Sequence, residues 1–202
     1  MRRHPLLTRS WRKCTSKCAP SAKTECAVSG LLNIRRAVSA DAPTLSKLSA
    51  DTFVETFGHL YSAKDLEDYL AHAYTESSYL DGLNELGFAA WLLEDAEGTP
   101  LGFAYAGPAD IPHDDVQPGD MQLVRLYLMK SAQSGGWGGR LMDAAMDWMS
   151  ASAPRSMWIG VWSENLGAQR FYARYGFSQA GTYLYPVGET NDIEFIYRKV
   201  IS

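Results

Sequence analysis

The sequence predicts an α/β fold with a mixed, mostly antiparallel central sheet flanked by helices. Three observations carry this. Two apolar runs, Gly87-Phe-Ala-Ala-Trp-Leu-Leu93 and Pro100-Leu-Gly-Phe-Ala-Tyr-Ala106, are separated by Asp95-Ala-Glu-Gly98, a hairpin connection. Further on, apolar runs ending at Met129 and Trp162 each give way to apolar residues at helical spacing, as where a strand hands over to a crossover helix. The chain closes on two more strand-like stretches, Ser178 to Tyr185 and Asp192 to Val200, joined across Pro186-Val-Gly188. Antiparallel pairs first and helical crossovers afterwards give a mixed sheet.

Taken in order, Leu32-Asn-Ile-Arg-Arg-Ala-Val38 reads as the first strand. Asp41 can cap a helix that has Pro43 in its first turn and continues through Leu45, Leu48, Ala50 and Phe53. A second helix is expected from Ser62 through Leu66, Tyr69 and Leu70 to Tyr74. The two strands of the first hairpin follow, then a polar loop from Asp110 to Gly119 that holds Pro112, His113, Asp114, Asp115 and Pro118.

Leu123, Val124, Leu126, Tyr127, Leu128 and Met129 are interrupted only by Arg125, a pattern that suits a strand buried on both faces. From Trp137 the period changes. Trp137, Leu141, Ala144, Ala145 and Trp148 recur at helical spacing, with Arg140, Asp143 and Asp147 opposite. After the strand Met157-Trp-Ile-Gly-Val-Trp162 another helical stripe follows, Ala168, Phe171, Tyr172 and Tyr175.

Composition sets bounds. The 202 residues fit one domain with material left over at one end. With 46% hydrophobic and 12% aromatic residues, the chain can bury a large core. No apolar run approaches the roughly 20 residues of a bilayer span, so no membrane association is expected and the chain reads as soluble and cytoplasmic. Seven of the 19 Lys/Arg and one of the 23 Asp/Glu fall in residues 1–30, which leaves 12 basic against 22 acidic residues in 31–202, a net of about −10. An acidic domain argues against nucleic acid as partner and would attract a cationic small substrate, although acidity also serves solubility alone. A homodimer is left open.

Residues 1–30 read as a basic N-terminal extension, disordered or non-native, and 31–202 as the working domain. Leu6-Leu7 is too short for the apolar core of a secretory signal. An organelle transit segment and a start placed upstream of the real one both remain. Cys14, Cys18 and Cys26 all lie in this extension without a paired C-x₂-C, so neither a disulfide framework nor a metal site is expected.

The chemistry concentrates at Gln133-Ser-Gly-Gly-Trp-Gly-Gly139. Each glycine costs a helix interior roughly 1 kcal/mol against alanine, so four around a helix start need a reason. Free N–H groups and the positive end of the helix dipole would hold a phosphate there, and missing Cβ atoms would let it approach. A tight turn that binds nothing is the other reading. The triphosphate loop is absent, since no Lys-Ser or Lys-Thr follows, and the dinucleotide fingerprint is unmet.

The stretch resembles the acetyl-CoA loop of the GCN5-related N-acetyltransferase superfamily, Gln/Arg-x-x-Gly-x-Gly/Ala, standing here as Gln133-Ser-Gly-Gly136-Trp-Gly138, with Lys130 where the family usually has proline. A second stretch, Asn165-Leu-Gly-Ala168-Gln-Arg-Phe171-Tyr172-Ala-Arg-Tyr-Gly176-Phe177, is similar to that family's Asn-x-x-Ala-x-x-Phe-Tyr-x-x-x-Gly-Phe. Thr52-Phe-Val-Glu-Thr-Phe-Gly-His59, with Leu66 and Tyr69-Leu70 after it, resembles the spermidine/polyamine branch.

The resemblance implies a family fold and an enzyme that transfers acetyl from acetyl-CoA to the amine of a small molecule, a polyamine among the candidates, directly in a ternary complex. No metal is implied. It makes the main chain of Leu126, Tyr127 and Leu128 the partner of the pantetheine arm. It makes Gln133, Ser134, Gly135, Gly136, Trp137, Gly138 and Gly139 the pyrophosphate loop. Asn165 either caps its helix or donates to the cofactor.

Tyr172, which periodicity alone would place in the core, becomes the general acid. A phenol near pKa 10 matches an alkyl thiol. No carboxylate lies in 121–130 to serve as base; Asp120, Glu55, His59 and His113 are candidates by type, and water with main-chain carbonyls is the other candidate. A non-catalytic, regulatory acyl-CoA-binding module and an acetyltransferase of a protein or peptide N-terminus are the alternative functions.

Overall fold

The computed structural model describes residues 32–84 and 87–201. The expected extension over 1–30 lies outside them.

The apolar residues of the first hairpin occupy both faces of their strands, and the chain buries both. β1 (Asn33–Arg36), β2 (Ala89–Glu94), β3 (Pro100–Pro108), β4 (Met121–Leu128), β5 (Ser156–Trp162), β6 (Ser178–Val187) and β7 (Thr190–Val200) form one sheet in the order β1-β2-β3-β4-β5-β7-β6. Every neighbour pair is antiparallel except β4–β5. The mixed, mostly antiparallel sheet flanked by helices is therefore as expected.

Alternation along β2 assigns its residues to two layers. Ala90 and Leu92 pack with Phe103 and Tyr105 under α1 (Ala42–Phe57) and α3 (Glu76–Asn84). Ala89, Trp91 and Leu93 pack with Ala104 and Ala106 under α4 (Trp137–Ser150). α1 contributes Leu45, Leu48 and Phe53, each no more than 5% exposed and each worth about 1.5–3 kcal/mol of burial. α4 contributes Leu141, Met142, Ala145 and Met149, all fully buried. α2 (Ala63–Ala73) starts at Ser62, whose Oγ accepts from the Asp65 N–H at 3.1 Å. α5 (Leu166–Arg174) starts at Asn165.

Three local expectations change. Asp41 stands at the N-cap position of α1, but its side chain makes no cap bond. Its carboxylate takes both guanidinium nitrogens of Arg35, at 2.7 and 2.8 Å, and the Val38 N–H at 2.8 Å, so it fixes the turn between β1 and α1 instead. α3 is an element the residues did not announce. Gly82 in its last turn lowers helix propensity, yet an added Cβ there would stand 1.9 Å from the Tyr105 hydroxyl, so close packing requires glycine.

The third change concerns β4. Met121 and Leu123 are buried, but the strand is only half-buried from Val124 onward. Its apolar run faces an open space rather than a second packed layer.

Candidate active site

That space is produced by one extra residue. Leu123 pairs with Ala106 and Arg125 with Tyr105, so Val124 has no partner on β3 and forms a β-bulge. A bulge bends its strand and increases the local twist. Parallel pairing with β5 covers only Met121↔Met157, Gln122↔Trp158 and Leu123↔Ile159 and then stops. β5 meanwhile follows β7 along its whole length, Ser156↔Val200 to Trp162↔Glu194. The two halves of the sheet part beyond the bulge, leaving a cavity of about 660 Å³.

Leu126, Tyr127 and Leu128 line this cavity along β4, as do Gln133, Ser134 and Gly138 from the glycine loop. The loop is tied to the strand, since Gln133 Nε2 donates to the Leu128 carbonyl at 3.1 Å. Ser134 (φ 81°) and Gly136 (φ 77°) are left-handed, which turns the chain sharply into α4. Gly135, Gly136, Trp137 and Gly139 belong to the same turn and helix start but do not line the cavity. Gly135 makes room for the Trp137 ring, which an added Cβ would meet at 2.7 Å. Gly138 lies open, with an added Cβ meeting only Leu128 Cδ1, at 3.5 Å.

From α5, Asn165 and Tyr172 complete this half. Asn165 Oδ1 accepts from the Ala168 N–H at 3.0 Å, so the capping role is filled by its oxygen. Tyr172 is 8% exposed, its ring packed edge-on against Phe171 and Phe177 with centroids 5.3 and 6.4 Å away. Its hydroxyl has no hydrogen-bond partner among the described residues and is not sealed in. Burial, with Glu194 adding to it, pushes this phenol above its ordinary value and holds it neutral.

None of the base candidates singled out by type lines the cavity. Asp120, 1% exposed, accepts from the Ser156 N–H at 3.0 Å, Trp158 Nε1 at 3.0 Å and the Gln117 N–H at 3.1 Å. Glu55 holds the Lys130 N–H at 2.7 Å. His113 packs on Trp158, ring centroids 5.0 Å apart, and His59 lies in a short turn after α1.

The cavity's other half is lined by residues that are not among the site residues expected from the sequence. Tyr61, Tyr69 and Tyr74 approach from the α1–α2 side, and Tyr183, Tyr185, Asp192 and Glu194 from the β6–β7 hairpin. Tyr69 joins Tyr185 at 3.0 Å and Tyr74 at 3.2 Å through hydroxyls, while Tyr61 donates to Asp192. The hairpin tip is bound to α2 where Asp65 Oδ1 accepts the Glu189 N–H at 2.9 Å.

Arg125 supports this wall. It donates to the Tyr79 hydroxyl at 3.1 Å and to the Ala73 carbonyl, at the end of α2, at 3.2 Å. Glu194 Oε2 accepts from the Tyr183 hydroxyl at 2.5 Å. Burial raises the Glu194 carboxyl above its ordinary value; the Tyr183 bond opposes this and Asp192 adds to it.

One signal could have found this half. Leu184 and Ile193 pair across the hairpin and are 64% and 52% exposed, whereas the polar residues on either side of them face inward. Apolar-out and polar-in alternation marks a strand whose inner face lines a site.

Among the described residues, no group of three His, Cys, Asp or Glu could hold a metal, and no helix is long and apolar enough to cross a membrane.

Residues 47–177 match the profile of the Acetyltransferase (GNAT) family. The uncharacterized N-acetyltransferase in the pepI 3′ region of Lactobacillus delbrueckii subsp. lactis is 26% identical over 161 residues, covering 80% of this chain and 92% of that one. The PaiA N-acetyltransferase of Thermoplasma acidophilum, solved in complex with coenzyme A, superposes with a TM-score of 0.66 at 19% identity, covering 85% of this chain and 99% of that one. YncA of Salmonella typhimurium, a putative acetyltransferase solved with its cofactor acetyl-CoA, gives 0.61 at 18% identity, covering 85% and 95%.

Proposed function

This chain belongs to the Acetyltransferase (GNAT) family and is an N-acetyltransferase; from that premise we propose that it moves acetyl from acetyl-CoA directly to the amine of a small molecule, both substrates being bound together. The observation that carries this is the parting of β4 from β5, with the Tyr172 hydroxyl free in the gap.

The residues present fit the co-substrate. Beyond Leu123 the β5 side of β4 has lost its strand partner, and Leu126, Tyr127 and Leu128 offer main-chain groups to a pantetheine arm as to an added strand. The loop over Gln133–Gly139 ends on the N-terminus of α4, where free N–H groups favour a pyrophosphate. Asn165 keeps its amide nitrogen available beside them. Acetyl-CoA supplies an activated acyl group on a thiol leaving group. Tyr172 supplies a proton to that thiol: it stays protonated at neutral pH and has no competing acceptor among the described residues.

A small acceptor is supported by the roof over the second half. The hairpin is fastened to the α1–α2 side by Asp65–Glu189, Tyr61–Asp192 and Tyr69–Tyr185, which holds this half together as a fixed wall around a compact acceptor. A cationic acceptor, polyamines included, is supported by Asp192 and Glu194 in that wall and by the acidic domain. Use of acetyl-CoA fits a cytoplasmic enzyme.

A thiol-release assay over a panel of amines, run beside coenzyme A binding, tests the reading. Turnover of small alkyl amines is expected. Binding without turnover would indicate a non-catalytic acyl-CoA module, and preference for peptide N-termini would indicate the other acceptor class.

A further inference from the structure

We infer that Glu194 is the general base of the transfer, its carboxylate taking the proton from the acceptor's ammonium before the nitrogen attacks. This rests on the function proposed above and adds the group that the sequence did not supply.

Placement carries the inference. Glu194 pairs with Trp162 at the end of β5, beyond the point where β4 has left that strand. Its side chain crosses Gly160, where an added Cβ would stand 2.8 Å from Glu194 Oε2 and 3.0 Å from the Tyr183 hydroxyl. The bare position on β5 is therefore the lane through which the carboxylate enters the gap. Tyr172 lines the same cavity from α5, so a proton acceptor and a proton donor share it.

Tyr183 holds Oε2, and no donor among the described residues reaches Oε1, which is left to accept from a ligand. Asp192, two residues away on the same face, is engaged by Tyr61. The groups facing Glu194 are thus Asp192 on its own strand, Tyr183 and Tyr185 on β6, Tyr172 on α5, Tyr127 on β4, and Tyr61 after α1. A raised carboxyl beside neutral phenols is a better base toward neutral pH than an exposed one.

The protons balance. Glu194 removes one from the ammonium, the freed lone pair forms the C–N bond to the thioester carbon, and the C–S bond breaks with its electron pair on sulfur. Tyr172 protonates the sulfur and recovers a proton from the acylated nitrogen, and Glu194 releases its own to solvent.

The test compares Glu194→Gln with the wild type over pH, using acetyl-CoA and two acceptors: 1,4-diaminobutane, an alkyl ammonium near pKa 10.4, and glycinamide, near an α-amino pKa of about 8. Without a base the variant depends on amine already neutral in solution. Its loss in kcat/KM with the diamine should be at least about 100-fold near pH 7 and shrink about tenfold per pH unit toward the amine pKa, and it should be smaller throughout with glycinamide. Tyr183→Phe, which removes a donor to the carboxylate, should move the acidic limb of kcat/KM to higher pH.

A loss that is independent of pH and acceptor in a folded, coenzyme A-binding variant overturns the inference. So does the same pH signature in Asp192→Asn and not in Glu194→Gln. If Glu194→Gln does not fold, an unmoved limb in Tyr183→Phe decides against it. Absent turnover by the wild type removes the proposed function itself, whereas a pH-parallel loss removes only the role of Glu194.

Discussion

Replacing Tyr172 by Phe separates packing from chemistry at the residue where the two coincide. The ring keeps its edge-on contacts with Phe171 and Phe177, and the deleted hydroxyl leaves no protein group unpaired, because it has no partner among the described residues. Stability should therefore change by less than about 0.5 kcal/mol, the range of substitutions that break no specific feature. Coenzyme A affinity should hold as well. Turnover should fall, since positioned general-acid assistance is worth about 10²–10⁴-fold, or roughly 3–5 kcal/mol at 1.36 kcal/mol per decade. Burial and Glu194 place the phenol's own titration above its ordinary value, so the wild type should show no alkaline limb from Tyr172 below about pH 10. Steady-state thiol release, thermal melting and coenzyme A titration measure the three quantities. Turnover within twofold of wild type would return Tyr172 to the core and assign the proton to water. A large loss of Tm would show that the hydroxyl is a structural bond.

The glycine loop offers a paired test. At Gly138 a valine side chain starts from an ordinary contact with Leu128, so Gly138→Val should melt like wild type yet lose coenzyme A affinity at least about tenfold, or 1.4 kcal/mol; unchanged affinity by calorimetry would refute the loop assignment. Gly136→Val must also adopt φ 77°, a strain of about 1–3 kcal/mol, and should lose stability along with affinity. Gly160→Ala pushes a Cβ into the Glu194–Tyr183 pair and should cut turnover by roughly 100-fold through misplacement alone, with coenzyme A binding retained; full activity would show that the pair's position is irrelevant. Asp120→Ala leaves the Trp158 Nε1–H and Ser156 N–H unpaired in the core, at about 1–3 kcal/mol each, and should lower Tm sharply without changing the pH profile of the protein that remains folded. Folding favours the protonated form of Glu194, so its stabilisation is complete below the unfolded carboxyl value of about 4.3 and is lost as pH rises through the higher folded value. Glu194→Gln should therefore match wild-type Tm in acid and exceed it at neutral pH, and a Tm difference that ignores pH would contradict the buried-carboxylate account.

Local chemistry was legible and assembled chemistry was not. The strands of the first hairpin, the glycine loop and the α5 stripe are each written within a dozen consecutive residues, and each is found where spacing put it. α3 was silent because Gly82 and Ser77-Ser78 erase helical propensity that packing against Tyr105 overrides. The run along β4 reads as buried on both faces because an apolar strand beside an open cavity has the same composition as one inside a core. This wall of the cavity joins Tyr61 and Tyr69 to Asp192 and Tyr185 across more than 100 positions of chain, a pairing that no local pattern encodes. Its trace in sequence was the reversed alternation around Leu184 and Ile193.

The two halves of the site depend on one another through the bulge. Residues on either side of Val124 keep their faces only because the extra residue is absorbed there: Leu123 and Leu126 pack in one layer, Val124 and Tyr127 in the other. Deleting it would restore regular pairing with β3 and remove the bend that takes β4 away from β5, while every later side chain of β4 keeps its present β3 partner and face. Arg125 would stay opposite Tyr105 and keep its bonds to the Ala73 carbonyl and Tyr79. With pairing to β5 resumed, the β4 edge opposite Tyr172 would be consumed by Gly160, Val161 and Trp162, and Glu194 would meet a strand instead of a cavity. The glycine-loop side of the cavity and its Tyr185–Glu194 side thus open at the same bulge, and Gln133 and Glu194 face one space.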